Sequence, residues 1–300
     1  MPARFCAYPP DNAAVMRVLE DGRNYTIGRS SDCEIRLDHR SISRQHGELK
    51  GSDGSWLLHD TGSKNGISVE GRLTGRAEFI NLTWFMIGDI SCSLEPLDAV
   101  AGAAAVASSE SRRSMSRALS ARLLPQLGIG ALIPQTLDMV LQLTGLERGF
   151  VLYAPDGETL RVHATRGLRV DDLSNRHFAG SAAAVEQALT TREYVVCVDT
   201  NDSPWLAARP SVRLGGIRSL LCMPLTLSHR SIGVLYADSR LPGPPITELD
   251  IELVENVTRH AAAAIEAARL EDRIADALRS AASIGVQPPA WTDLVSDATR

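Results

Sequence analysis

Three polar clusters decide the reading of this chain: Gly28-Arg29, Ser43-Arg44-Gln45-His46 and Asp60-Thr61-Gly62-Ser63-Lys64-Asn65-Gly66. Each closes a run of apolar alternation, the pattern of several loops gathered at one end of a β-sandwich. Gathered there, Arg29 and Arg44 supply planar forks of donors, Lys64 a point charge, and Ser43 and Asn65 short neutral donors. That inventory matches phosphate oxygens, and it suits a single phosphorylated side chain better than a long polyanion.

Working outward, short β-type runs flank the clusters at Val15–Leu19, Tyr25–Ile27, Glu34–Leu37 and Ser55–Leu58, then at Ile67–Val69, Glu78–Ile80 and Trp84–Ile87. Turn signals fall between them at Asp21-Gly22, Asp53-Gly54, Asn65-Gly66 and Glu70-Gly71. Cys33, Ile35 and Leu37 alternate with Glu34 and Arg36, as a half-buried strand requires. The expectation for residues 1–97 is an all-β sandwich with its loops clustered at one end.

With its three clusters in this order, the region 5–97 resembles the forkhead-associated (FHA) domain, a reader of phosphothreonine peptides. The resemblance implies that Arg29 and Ser43 contact phosphate, that Arg44 and Lys64 add contacts to peptide or phosphate, and that Asn65 holds the ligand backbone. It implies a supporting role for Gly28, His46 and Gly66. Ile67 departs mildly from the Thr or Val usual after the Asn-Gly pair. Asp60, His46 and Ser43 also have the composition of a hydrolase triad, but no G-x-S-x-G elbow frames the serine, and no catalytic residue is expected.

Residues 98–125 are rich in alanine, then serine and arginine, and read as a flexible tether with a short helix over 116–124 that stops near Pro125. Serines beside Arg112 and Arg113 resemble basophilic kinase sites. Between Thr83 and Thr136 there is no threonine, so a phosphothreonine reader finds no ligand of its own in the tether.

From 126 to 270 the pattern changes to mixed helix and strand. Leu132, Ile133, Leu137, Val140, Leu141 and Leu143 share a helical face. Strands are expected at 149–153, 159–164, 194–198, 219–225 and 232–237, with a helix over 179–190. A last helix begins at Thr247 and has its apolar stripe at Ile251, Val254, Val257, Ala261, Ile265 and Ala268. The expected class is α/β, an antiparallel sheet flanked by helices. Glu147-Arg148-Gly149-Phe150, Val198-Asp199-Thr200, Arg218 to Leu225 and Ile232 to Asp238 resemble a GAF domain, a fold of small-ligand sensors and dimerisation modules. The resemblance implies a ligand site near the loop from Asp199 to Trp205, with Trp205 the residue to test, and a homodimer through the terminal helices. Residues 271–300 are expected to extend the helix and end in a disordered acidic tail, where Thr292 is a conceivable phosphosite.

Composition narrows the function classes. The chain has 300 residues, 44% of them hydrophobic, and a formal net charge of −5. Residues 1–98 carry 11 basic and 14 acidic side chains and residues 126–270 carry 13 and 16, so neither domain has the basic excess of a nucleic-acid binder. No apolar run is long enough to span a membrane, and no apolar leader opens the chain, so a cytoplasmic location is expected. The five cysteines are scattered and read as reduced core residues; no metal or cofactor is expected. Lys50 and Lys64 are the only lysines, which excludes a P-loop ATPase and the lysine-containing cyclic-nucleotide signature of some GAF domains. The expected function is a non-enzymatic signalling adaptor whose partners are a phosphothreonine protein, its Ser/Thr kinase and an unidentified small ligand. The alternatives are a regulatory subunit of a transcriptional-activator, cyclase or phosphatase system, or an enzyme with a cryptic site.

Overall fold

The first domain is built by alternation. Strand β5 (Gly47–Ser52) buries Gly47, Leu49 and Gly51 and exposes Glu48, Lys50 and Ser52, the period of two that lays one face on a core. In the computed structural model, which describes residues 1–283 except 53, 155–158, 170–179 and 229, eleven strands form two such half-buried sheets. One sheet runs β2 (Val15–Leu19), β1 (Ala3–Tyr8), β11 (Ile90–Pro96), β10 (Thr83–Ile87), β7 (Ile67–Val69), β8 (Arg72–Thr74). The other runs β4 (Ile35–Arg36), β3 (Asn24–Gly28), β5, β6 (Ser55–Asp60), β9 (Arg76–Phe79). Between them Phe5, Ile27, Leu49, Trp56, Leu58, Phe79 and Phe85 are buried, with the Phe79 and Phe85 rings stacked at 4.9 Å. The β3–β4, β4–β5 and β6–β7 connections carry the three polar clusters.

The stretch expected as a flexible tether is a helix, α1 (Ala99–Ser120), capped by Asp98, whose carboxylate accepts from the Ala101 N–H at 2.7 Å. The reason is chemical: alanine is the strongest helix former, so a run of small residues is stiff where alanine rather than glycine supplies them. The small side chains also let α1 lie close against the long C-terminal helix, α6 (Glu248–Ser283). Arg112 pairs with the buried Asp250 and donates to the Leu143 carbonyl at 2.9 Å, and Arg113 grips Glu252 at 3.0 and 3.1 Å. Ser116 is buried and donates to the Leu253 carbonyl. The arginines that resembled a kinase signature are thus helix–helix ion pairs, while the serines beside them, Ser111 and Ser114, are exposed.

Past a single 3₁₀ turn at Pro125–Leu127, α2 (Ile129–Thr144) buries Leu132, Ile133, Leu137, Val140 and Leu143 and ends at Gly145 in the left-handed conformation. The sheet of the second domain is antiparallel, ordered β13 (Arg161–Arg166), β12 (Arg148–Tyr153), β16 (Arg230–Ser239), β15 (Ser219–Leu227), β14 (Val195–Cys197). On one face lie α2 and α6; on the other lie α3 (Ala182–Thr191), α4 (Pro204–Ala207) and α5 (Pro210–Gly215). Thr247 and Asp250 cap α6 reciprocally: the carboxylate accepts from the Thr247 N–H and hydroxyl, both at 2.7 Å, and the Asp250 N–H donates to the hydroxyl at 3.3 Å. Its stripe from Ile251 to Ala268 is buried on its own sheet and on α2, so those residues are not offered to a second protomer; exposed apolar residues on α6 lie further along, at Leu270, Ile274 and Leu278. The 271–280 stretch is helical, and Thr292 lies outside the described residues.

The two domains are joined by more than α1. The β1–β2 loop reaches the start of α6, where the Ala14 N–H donates to the Ile246 carbonyl at 2.8 Å and the Glu248 N–H to the Ala14 carbonyl at 3.0 Å. Arg17 pairs with Glu248 at 2.6 Å. Asp11, from the same loop, accepts hydrogen bonds from the Ser203 hydroxyl and, at 3.0 Å, from the Trp205 indole N–H.

Candidate functional site

A glycine ends β3 because nothing larger fits. A Cβ at Gly28 would lie 2.2 Å from the Arg44 carbonyl oxygen and 2.8 Å from the Cys33 sulfur. That close approach lets the Arg29 and Ser30 N–H groups donate to the carbonyls of Ser43 (2.9 Å) and Arg44 (3.1 Å), which lays the first cluster against the second.

His46 ties the second cluster to the third. It is fully buried, its Nδ1 accepts from the Ser43 N–H at 3.2 Å, and its Nε2 lies 3.0 Å from the Gly66 carbonyl. An Nδ1 that accepts leaves the ring proton on Nε2, which donates to Gly66. Neither ring nitrogen bonds the Ser43 hydroxyl or the Asp60 carboxylate, so the three residues do not form a catalytic triad. Asp60 instead folds the third loop, accepting from the Gly62 N–H at 2.8 Å and from the Ser63 N–H and hydroxyl at 2.7 Å each. Burial works against its ionisation, but the Ser63 and Gly62 donors outweigh it and hold the carboxyl below its ordinary range. The Ser63 hydroxyl accepts in turn from the Gly66 N–H, where the chain turns at a φ of +73°.

On this scaffold sit the expected ligand contacts. The Ser43 hydroxyl accepts from the Lys64 N–H at 3.0 Å, which leaves its own proton free to donate outward. The Asn65 amide donates to the Ser41 carbonyl at 2.8 Å, which turns its side-chain oxygen away from that carbonyl. Arg29 Nε reaches the Ile42 carbonyl at 3.3 Å. Arg29, Arg44 and Lys64 are exposed, and none of them pairs with an acid among the described residues. Ser43 and Arg44 line a recess of about 440 Å³ with Ser30, Asp32, Cys33 and Gln45, while Arg29 lines a neighbouring cleft of about 610 Å³. Lys64 and Asn65 lie beside the first recess through the Ser43–Lys64 bond.

The sequence reading passed over Ser41. It is buried, accepts from the Asp89 N–H at 3.0 Å, and has His39 Nδ1 at 2.8 Å, so it links the β4–β5 loop to the β10–β11 turn. The two meet closely: a Cβ at Gly88 would lie 2.8 Å from the Ser41 carbonyl.

Trp205 lies on α4, not in an open loop. One side of it packs against the core under α3 to α5, where Phe150 and Tyr236 stack at 4.9 Å, and the other faces the cleft that contains Arg29. Burial pushes the Cys197 thiol up to about 12 and the Cys222 thiol higher still, consistent with inert core cysteines. Among the described residues no helix is long and apolar enough to cross a membrane, and no cluster of three metal-ligating side chains occurs.

Comparison with known proteins places both halves. Residues 25–83 match the FHA domain family and residues 129–265 the GAF domain family. A stretch of 53 residues is 42% identical to the oxoglutarate dehydrogenase inhibitor of Corynebacterium diphtheriae; the match spans 18% of this chain and 37% of that protein. The crystallised FHA domain of a Chlamydia trachomatis protein is 32% identical over 31% of this chain and 98% of its own, with a TM-score of 0.28. A GAF domain/HD domain protein from Geobacter sulfurreducens is 16% identical over 47% of this chain and 94% of its own, with a TM-score of 0.38. This chain carries an FHA domain followed by a GAF domain.

Proposed function

We propose that this chain is a phosphothreonine-dependent adaptor: its FHA domain docks a protein phosphorylated by a Ser/Thr kinase, and its GAF domain responds to a small ligand, pairs two copies, or both. The observation that carries this reading is the Ser43 hydroxyl, free to donate, on loops locked by a buried histidine that also carry Arg29, Arg44 and Lys64, none of which pairs with an acid among the described residues. A phosphothreonine brings about −1.5 to −2 charges and three acceptor oxygens, which Arg29, Ser43, Arg44 and Lys64 complement. Two or three charge-assisted bonds of about 1.5–3 kcal/mol each, less the ordering of the peptide, correspond to affinity near the micromolar range. The Asn65 side-chain oxygen is placed to accept a peptide N–H.

Two copies joined at the exposed Leu270, Ile274 and Leu278 would hold two phosphate sites together and bind a clustered target more tightly than one. We place its action in the cytoplasm. A phosphothreonine peptide library, screened beside its dephosphorylated counterpart, tests the reading. Enrichment of phosphopeptides alone supports it, and equal capture of both sets overturns it.

A further inference from the structure

We propose that the cleft between the two domains is the second half of the phosphopeptide site, where Asp202 and Trp205 of the GAF domain bind a basic side chain flanking the phosphothreonine. This rests on the phosphothreonine reading of Arg29 and Ser43. Arg29 lines a cleft of about 610 Å³ together with Asp202, Pro204 and Trp205 of the GAF domain and with His39, Arg40 and Asp89 of the FHA domain. A phosphate held by Arg29 therefore brings the rest of its peptide to the edge of a surface that the FHA domain does not build alone.

The GAF side is preorganised. The Trp205 indole N–H donates to Asp11 at 3.0 Å, the same carboxylate accepts from Ser203, and the ring rests on the buried core beside Leu206. A fixed indole offers its face to a cation. The charges of the cleft select the same ligand. Asp11, Asp38, Asp89 and Asp202 line it against Arg29 and Arg40. Asp38 is paired with Arg36 at 2.7 Å, while neither Asp89 nor Asp202 pairs with a cation among the described residues. Once a phosphate dianion neutralises Arg29, the remaining excess is negative. An arginine or lysine beside the phosphothreonine meets carboxylates and an aromatic face; a glutamate meets like charge from both the cleft and the phosphate.

Fluorescence anisotropy on the full chain tests this, with labelled phosphothreonine peptides that differ only in carrying Arg, Ala or Glu at one flanking position. At one of those positions the Arg peptide should bind roughly tenfold tighter than the Ala peptide, and the Glu peptide more weakly than either. Trp205→Leu keeps an apolar side chain on the core but removes the aromatic face, and Asp202→Asn changes an exposed side chain. With folding checked by circular dichroism, each should narrow the Arg-over-Ala ratio to about twofold. Equal affinity for the three peptides at every position, or a preference that survives both substitutions, would overturn the inference while phosphate-dependent binding persists. If phosphorylated and dephosphorylated peptides bind alike, the phosphothreonine reading falls and this inference falls with it.

Discussion

The Ser43 hydroxyl and the His46 ring share one loop and do different work. The hydroxyl accepts from the exposed Lys64 N–H, which water can satisfy in its place, and retains a proton to donate, so Ser43→Ala removes mainly a ligand contact. It should weaken phosphopeptide binding by about 1.5–3 kcal/mol, read by calorimetry, with the melting temperature within a degree or two of the parent. The ring is buried between two loops, and His46→Ala leaves the Ser43 N–H without its partner, at about 1–3 kcal/mol, and takes from the Gly66 carbonyl one of its two donors, the Gly88 N–H remaining. Its main effect should be a lower melting temperature. Asp60 adds a pH dependence. Its carboxyl ionises more readily folded than unfolded, so its stabilisation is present above the ordinary carboxylate value, about 3.9, and is lost as pH falls through the lower folded value. The melting-temperature gap between Asp60→Asn and the parent should therefore be open at pH 7 and close toward pH 3; a gap that widens in acid would contradict the assignment. The three polar clusters were legible in the sequence because each is local, a few polar side chains at a turn. Ser41 was not, since its role lies in contacts with residues almost fifty positions away.

Secondary structure divides along the same line between local and distant information. Strands with strict alternation and helices with apolar stripes, such as β4, α2 and α6, were readable because their period survives in the sequence. The helix α1 was misread because its alanines and serines resemble a tether until α6 is set beside them: Arg112 and Arg113 meet acids about 140 residues away. A helix packed in this way resists proteases, which need an extended backbone. Brief digestion of the folded protein with trypsin should leave the bonds after Arg112 and Arg113 intact. Rapid cleavage there, releasing the two domains, would restore the flexible-tether reading.

For the whole molecule, the β1–β2 loop is the joint. Ala14 exchanges backbone hydrogen bonds with Ile246 and Glu248, and Asp11 holds α4 beside the phosphate loops. No local pattern announces such contacts between segments about 190 to 230 residues apart. Ala14→Pro removes the N–H that donates to Ile246. It should turn one cooperative thermal transition into two, resolved by calorimetry, whereas an unchanged single transition would show that the joint carries no coupling. The central claim concerns the FHA pocket, and the most direct measurement is isothermal titration of a tight-binding phosphothreonine peptide into the parent and into Arg29→Ala. The account predicts micromolar affinity for the parent, none for the dephosphorylated peptide, and loss of binding by a folded Arg29→Ala protein. Undiminished affinity in that variant would contradict it.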